Sequence, residues 1–266
     1  MHLLVISILP AAVLMLVIYK CDRVEPEPAG LVLAVMGFGM LTILPAMICE
    51  AIGEGLLSVF LPQESILFQF LDAFFVIALT EEFWKRFVIR TYIWKKPAFN
   101  YRFDAIVYCV ASSLGFALLE NIFYVFGNGF GTGIMRALLS VPGHCTDAIF
   151  MGLFIGNAKL CQVRGNRKKY KMYMAWSLWM PVMLHGFYDF CLGMDSIFLI
   201  LVFLMFVIIC DVTAIVFVIL SEKQDAPFYV LKEGDRWIDN PVWLQMAAAS
   251  LNMDVPDMNP DTREGR

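Results

Sequence analysis

Long apolar runs separated by short polar stretches cover most of the chain, which is the pattern of a membrane-spanning helix bundle. A transmembrane helix needs about 20 mostly apolar residues to cross a hydrocarbon core of about 30 Å. The pattern therefore predicts an all-α, polytopic bundle of about seven transmembrane helices. Residues 56–61 form a shorter apolar piece, which we interpret as a re-entrant or interfacial segment. The predicted spans cover residues 3–19, 30–49, 66–90, 104–126, 132–158, 173–192 and 196–220.

The distribution of lysine and arginine predicts the orientation of this bundle. If the N-terminus lies outside, the inner segments are residues 20–29, 85–104, 159–172 and the tail from Ser221. These segments hold 19 of the 20 lysines and arginines, and Arg136 is the exception. Cytoplasmic segments of membrane proteins carry such an excess of positive charge. We therefore predict that the N-terminus is outside and the C-terminus inside.

Composition supports an integral membrane protein. The 266 residues are 60% hydrophobic and 17% charged, whereas a soluble domain of this length would need more polar surface. The net charge of −4 and the lack of a basic, aromatic tract indicate no nucleic-acid partner. Residues 222–266 are richer in Asp, Glu, Pro and Asn, so we expect a cytoplasmic tail that is partly disordered.

Ionisable residues inside the predicted spans indicate function, because each costs free energy in lipid unless it is paired or lines a wet cavity. Glu81 and Glu82 are adjacent in LTEEFWKRF and lie about 100° apart around a helix. Lys85 follows Glu81 at i,i+4, so a charge cluster at the membrane edge is one interpretation. The other is a buried general base that deprotonates water.

Two further polar pairs follow on the next two predicted helices. Glu120 and Asn121 lie among aliphatic and aromatic residues, and any basic partner of Glu120 must come from another helix. His144 and Asp147 share one helix face at i,i+3, and Arg136 lies near that face. A carboxylate in this position can fix a histidine tautomer, although either pair could also be purely structural.

The sixth predicted span contains His185 and Asp189 at i,i+4 in MLHGFYDF. The chain has three histidines, and two of them lie in mid-span, each followed by an aspartate on its own face. Packing alone does not account for this repetition. Together the polar residues favour catalysis or metal binding inside the membrane.

Four of these motifs, on successive helices, resemble the PrsW family of intramembrane proteases. They are EEFWK, GFALLEN, the histidine of VPGHCTDAIFMG, and LHGFYDF. The family is related more distantly to the CAAX-prenyl endopeptidases and to bacteriocin-processing membrane proteins. The resemblance covers residues 72–192, which we expect to be the catalytic core of a transmembrane domain formed by residues 1–221.

The resemblance implies a glutamate-dependent endopeptidase of the bacterial cytoplasmic membrane. Members of the family are associated with site-1 cleavage of membrane-anchored anti-sigma factors. By motif position, Glu81 and Glu82 would be the catalytic pair and His185 the essential histidine. Glu120 stands where the distant relatives have the histidine of FxxxH, and Asp189 stands where they often have asparagine.

The resulting hypothesis is hydrolysis by a water that one of the two adjacent glutamates deprotonates. The histidines would then stabilise the developing oxyanion. The aspartates would orient the histidines, and the Glu-Asn pair would either hold substrate backbone or support the catalytic residues from behind. The catalytic candidates are Glu81, Glu82, His185 and His144, and the supporting candidates are Glu120, Asn121, Asp147, Asp189, Lys85 and Arg136.

Three alternatives remain at this point. No cofactor is the main expectation, but His144, His185 and Glu81 could form a zinc site, with ligands from three helices because HExxH is absent. A proton-coupled transporter could use the same carboxylates. A non-catalytic scaffold would not need them. For a protease the expected partners are the lipid bilayer and a membrane-anchored protein substrate.

Overall fold

The computed structural model describes residues 2–194 and 196–228, and nearly all of these residues are helical. The predicted all-α, polytopic bundle is confirmed. The tail beyond residue 228 lies outside the described residues. The helices are α1 His2–Cys21, α2 Ala29–Leu41, α3 Ile43–Phe60, α4 Ile66–Leu71, α5 Leu79–Val88, α6 Asp104–Asn128, α7 Phe130–Met135, α8 Val141–Val163, α9 Arg167–Gly193 and α10 Ile197–Lys223.

Three short π-helical stretches join or extend these helices. Asp72–Ala78 links α4 to α5, Ile89–Ile93 extends α5, and Arg136–Ser140 links α7 to α8. As a result, residues 66–93 form one rod and residues 130–163 another. π-helical turns are rare and occur frequently at functional sites.

Among the described residues, five helical stretches are long and apolar enough to cross a membrane, namely α1, α2 with α3, α6, α7 with α8, and α10. The other two predicted spans correspond to the rod of residues 66–93 and to α9. These two carry buried charged residues of the candidate site, including Glu82, Lys85 and His185. The rod and α9 thus carry part of the candidate site, whereas Glu120 and His144 lie on α6 and α8 among the five apolar stretches.

The second predicted span differs from the structure in length. It was expected to end near residue 49, but α3 continues to Phe60 and includes most of the piece at residues 56–61. Glu50 and Glu54 suggested a loop, yet at i,i+4 they share one face and leave the rest of the helix apolar. The break between α2 and α3 at Thr42 lies just before Pro45, which has no N–H to donate to the preceding turn.

Helix α6 lies at the centre of the bundle and packs against α1, α2 and α8. Its residues 104–117 are all buried. Where α2 crosses it, Gly39 meets the Ser112 backbone and Gly115 meets the Met36 backbone. A side chain at either glycine would collide with the opposite helix, so the two backbones are in direct contact.

At the predicted inner face, the first residues after α10 pack on the loop between the rod and α6. The Phe228 N–H donates to the Asn100 carbonyl at 2.8 Å, and the Phe228 ring contacts Phe99. Asp225 accepts a hydrogen bond from the Phe103 N–H at 2.9 Å. This contact holds the end of α10 against the beginning of α6.

Candidate active site

Helix α5 presents three buried charged side chains that contact one another. The Lys85 Nζ atom lies 2.9 Å from Glu81 Oε2 and 2.7 Å from Glu82 Oε1. The Lys85 and Glu82 residues are both 0% exposed, and Glu81 is 5% exposed. The i,i+4 pair anticipated from the sequence is present, but it lies inside the protein rather than at the membrane edge. Both glutamates point inward, although they are adjacent.

His144 joins this cluster from α8. Its Nδ1 atom lies 3.1 Å from Lys85 Nζ, and its Nε2 atom lies 2.9 Å from Glu120 Oε2. A lysine ammonium can only donate, so Nδ1 must accept, and the ring proton is then on Nε2, from which it donates to Glu120. In addition, the Ser113 hydroxyl donates to the His144 carbonyl at 2.9 Å. The surroundings thus select one neutral tautomer of His144.

His185 enters the cluster from α9 on the other side of Glu82. Its Nδ1 atom lies 3.0 Å from Glu82 Oε1, and its Nε2 atom lies 3.2 Å from Asp189 Oδ2. The same Nε2 atom is 3.9 Å from Glu81 Oε2. Both ring nitrogens face carboxylate oxygens, which favours a ring that donates from both nitrogens. The two histidine rings are 5.3 Å apart and nearly perpendicular.

Glu120, Asn121 and Arg136 form a second layer around His144. The Arg136 Nη2 atom donates to Glu120 Oε2 at 2.6 Å, and its Nε atom donates to Asn121 Oδ1. The Asn121 side chain donates in turn to the Ser7 carbonyl at 3.3 Å. The basic partner of Glu120 comes from outside its own helix, as expected. These contacts link α1, α6 and the π-helical stretch before α8.

Asp147 is buried, but it lies apart from the hydrogen bonds of His144. Both ring nitrogens of His144 already have partners, Lys85 and Glu120, on neighbouring helices. Asp147 lies on the wall of the cavity described below. The i,i+3 spacing that suggested an orienting contact brought the two residues to one face without pairing them.

A cavity of about 680 Å³ opens against this cluster. Its walls include Glu81, His144 and His185, whereas Glu82 and Lys85 lie behind them. Tyr124 and Gly193, near the ends of α6 and α9 that are predicted to be outer, also line it. The cavity therefore connects the charged cluster with the predicted outer half of the bundle.

Sequence reasoning missed two contributors to the site. Glu50 lines the cavity from α3, although its position near the end of a predicted span suggested an outer loop. The signal available in the sequence was the i,i+4 spacing of Glu50 and Glu54, which is typical of two residues on one face of a helix. Ser112 donates to the Lys85 carbonyl at 2.9 Å, and small hydroxyl residues in a span carry little signal of their own.

The cluster also fits a metal ion in donor type and spacing. Glu81, Glu82, His144 and His185 each offer one ligand atom, and these atoms lie within 4.8 Å of one another. Imidazole nitrogens and carboxylate oxygens are normal zinc ligands. Lys85 contacts three of these residues, so a metal ion there would replace the contacts that the ammonium now makes.

Comparison with known proteins adds a family to this geometry. A family model described as "PrsW family intramembrane metalloprotease" matches residues 27–217. Protease PrsW of Geobacillus kaustophilus is 36% identical over 188 residues, which are 70% of this chain and 77% of that protein. Protease PrsW of Oceanobacillus iheyensis is 38% identical over 196 residues, which are 73% and 85%.

Protease PrsW of Halalkalibacterium halodurans is similar over a longer region. It is 32% identical over 223 residues, which are 84% of this chain and 98% of that protein. No solved structure matches the chain significantly. The matched region contains every charged residue of the cluster and every wall of the cavity.

Proposed function

This chain belongs to the PrsW family of intramembrane proteases, and from that premise we propose that Glu81 activates the water that hydrolyses the peptide bond. The observation that carries the proposal is that Glu81 lines the cavity while Glu82 is fully buried behind it. A base must reach the water that it deprotonates. Glu81 is therefore the base, and Glu82 is a positioning residue.

Lys85 keeps both glutamates ready for these roles. Its buried ammonium contacts both carboxylates, so its positive charge compensates their negative charge inside the bundle. An ionised Glu81 can accept a proton from water. The Glu82 carboxylate also contacts His185, so Lys85 and Glu82 together fix the position of that ring.

The two histidines stabilise the developing oxyanion. Both line the cavity beside Glu81, and each carries a ring N–H that now donates to a carboxylate. Substrate that enters the cavity competes with Glu120 and Asp189 for these donors. Donors that are held in place before the reaction stabilise negative charge at little reorganisation cost.

The substrate is a membrane-anchored protein, cut near the outer end of its transmembrane segment. The cavity reaches residues at the predicted outer ends of α6 and α9, which supports this location. Anti-sigma-factor-like proteins, cut at a first site before further processing, are the proposed substrate class. The site of action is the bacterial cytoplasmic membrane, with the N-terminus outside.

A co-expression cleavage assay tests the proposal. Candidate single-span substrates are combined with wild type, Glu81→Gln and His185→Gln, and each variant is checked for membrane insertion. Product should be lost in both variants and kept in the control Glu54→Gln, which removes an exposed carboxylate of α3. Unchanged cleavage by inserted Glu81→Gln would refute Glu81 as the base.

Zinc is the second candidate, and the close approach of four possible ligands favours it. Glu81, His144 and His185 would hold the ion, which supplies Lewis-acid activation of water and of the scissile carbonyl when bound. Elemental analysis of purified wild type and of His144→Ala tests this directly. About one zinc per chain, lost in the variant, would support the metal; no zinc in protein that cleaves its substrate would exclude it.

A further inference from the structure

A second acidic cluster lies at the predicted inner face, away from the candidate active site. Asp22 follows α1, Glu27 precedes α2, and Asp104 is the first residue of α6. The three residues are 3%, 3% and 0% exposed. One carboxylate oxygen from each lies within 4.8 Å of those of the other two. Three helix ends therefore bring three carboxylates together out of contact with solvent.

Neighbouring hydrogen-bond donors hold the three side chains in place. Asp22 Oδ2 accepts from the Glu27 N–H at 3.1 Å. Asp104 Oδ2 accepts from the Tyr101 N–H at 2.6 Å and from another backbone N–H of the same loop. Glu27 Oε2 accepts from the Tyr108 hydroxyl. Each carboxylate thus has one oxygen fixed by the protein.

In the described part of the chain, the remaining oxygens of the two aspartates receive no hydrogen bond from an N–H group or a hydroxyl. Asp22 Oδ1 and Asp104 Oδ1 are both buried and accept no hydrogen bond. Within residues 2–194 and 196–228, no lysine or arginine forms an ion pair with any of the three carboxylates. Burial of unpaired carboxylates costs free energy, so a positive charge bound next to these three residues would stabilise the fold.

We propose that Asp22, Glu27 and Asp104 bind a hard divalent cation, of the class of Ca²⁺, Mg²⁺ or Mn²⁺. The ligand atoms are all oxygens, which these ions prefer, whereas the candidate active site combines carboxylates with imidazoles. The two aspartates each keep one buried oxygen, Oδ1, free for such an ion. The cation would supply the positive charge that no lysine or arginine among residues 2–194 and 196–228 provides there.

The bound cation would act as a structural clasp. It joins the end of α1 and the start of α2 to the first residue of α6, the central helix that carries Glu120. Asn100, in the loop before α6, donates to Glu25 at 2.8 Å and accepts from the Phe228 N–H. The clasp therefore also fixes the loop on which the segment after α10 packs.

Thermal unfolding of the purified full-length protein in detergent, freed of metal with a chelator, tests the site. Ca²⁺, Mg²⁺ and Mn²⁺ are added separately. At a hundredfold excess over Kd, the effective ion should raise Tm by about 5 °C or more. The shift should disappear in Glu27→Gln and Asp104→Asn. It should remain in Glu222→Gln, which removes a carboxylate on the same side that pairs with exposed Arg23.

Two measurements separate this site from the candidate active site and from misfolding of the variants. The shift should persist in the double variant Glu81→Gln/His185→Gln, because that variant leaves the inner cluster intact. Electron paramagnetic resonance of Mn²⁺ titrated into wild type should show about one tight site that Ca²⁺ or Mg²⁺ displaces. Absence of both a Tm shift and bound Mn²⁺ in wild type would overturn the proposal, as would a shift lost in the double variant.

Discussion

The two buried acidic clusters of this protein differ in where their positive charge comes from. Around the cavity, the chain provides it, because Lys85 contacts Glu81 and Glu82 directly. At the inner face, Asp22, Glu27 and Asp104 lie equally deep without a lysine or arginine partner among residues 2–194 and 196–228. Lys85 lies behind the cavity wall, so the positive charge of its side chain leaves the cavity free for water and substrate. A carboxylate cluster without a lysine or arginine partner is instead suited to a metal ion that stays bound.

The largest expected effect comes from the base in the first cluster. Glu81→Gln keeps the shape of the side chain but removes its ability to accept a proton, and general-base catalysis contributes about 10²–10⁴-fold to a rate. The initial rate of substrate cleavage should therefore fall by about that factor. The same substitution at exposed Glu54 should change the rate little, and an equal loss there would point to a nonspecific effect.

Removal of the internal cation should come next. Lys85→Met leaves two buried carboxylates uncompensated, and such a loss of one partner costs about 3–5 kcal/mol. Chemical unfolding in detergent should show a decrease in stability of that size. Lys95→Met, at an exposed position in the loop after the rod, is the matched control. Equal stability of the two variants would mean that Lys85 does not balance the glutamates.

The two aspartates that follow the histidines should differ in effect. Asp189 contacts His185, and loss of such an orienting partner typically costs about 10–100-fold in activity. Asp147 makes no corresponding contact with His144, whose nitrogens face Lys85 and Glu120. Cleavage rates of Asp189→Asn and Asp147→Asn should show a large loss for the first and a small one for the second. Equal losses would give Asp147 a role in the cavity itself.

The final prediction concerns pH and the inner cluster. Burial raises the pKa of Glu27 to about 8 and that of Asp22 to about 6. The folded, metal-free protein thus holds protons that the unfolded chain releases above about pH 4–5. Its stability should fall as pH rises from about 5 to 8. We expect Tm to decrease by several degrees, since each pH unit over which the folded chain holds one extra proton lowers its stability by up to about 1.4 kcal/mol.

Glu27→Gln provides the control for this pH dependence, because it removes a carboxyl group whose pKa burial raises to about 8. The decrease in Tm between pH 5 and 8 should become smaller in that variant. Addition of the effective divalent cation to wild type should also reduce it, since the ion takes the place of the protons. A metal-free wild type whose Tm rises over this pH range would contradict the assignment.

The sequence predicted the helix bundle and the assembly of the site because both depend on strong, local signals. Long apolar runs identify the membrane-spanning helices, and an ionisable residue within such a run is easily recognised as a candidate functional residue. His185 and Asp189 share a face by helix geometry alone, and the structure brings them into contact. The pairing of Glu120 with a cation from elsewhere followed from the lack of a basic neighbour.

The remaining features depend on contacts between helices, which a single sequence does not reveal. Glu81 and Glu82 are equivalent as a dipeptide, and only packing makes one line the cavity and the other lie behind it. The burial of Lys85 depends on the close crossing of helices around it. Asp22 and Glu27 lie in the segment between the first two predicted spans, and only the fold places Asp104 beside them.

The π-helical stretches on either side of α5 have a consequence for how this rod can vary. A π-turn holds one residue more than an α-turn, so each stretch resets the rotational phase of the helix beyond it. Asp72–Ala78 and Ile89–Ile93 lie on either side of the segment with Glu81, Glu82 and Lys85. The face that each end of the rod turns towards lipid is therefore set independently of the face that carries these three residues. Because each π-turn accommodates one extra residue, a one-residue deletion within Asp72–Ala78 that restores regular α-helix should leave α4 facing as it does now relative to the site.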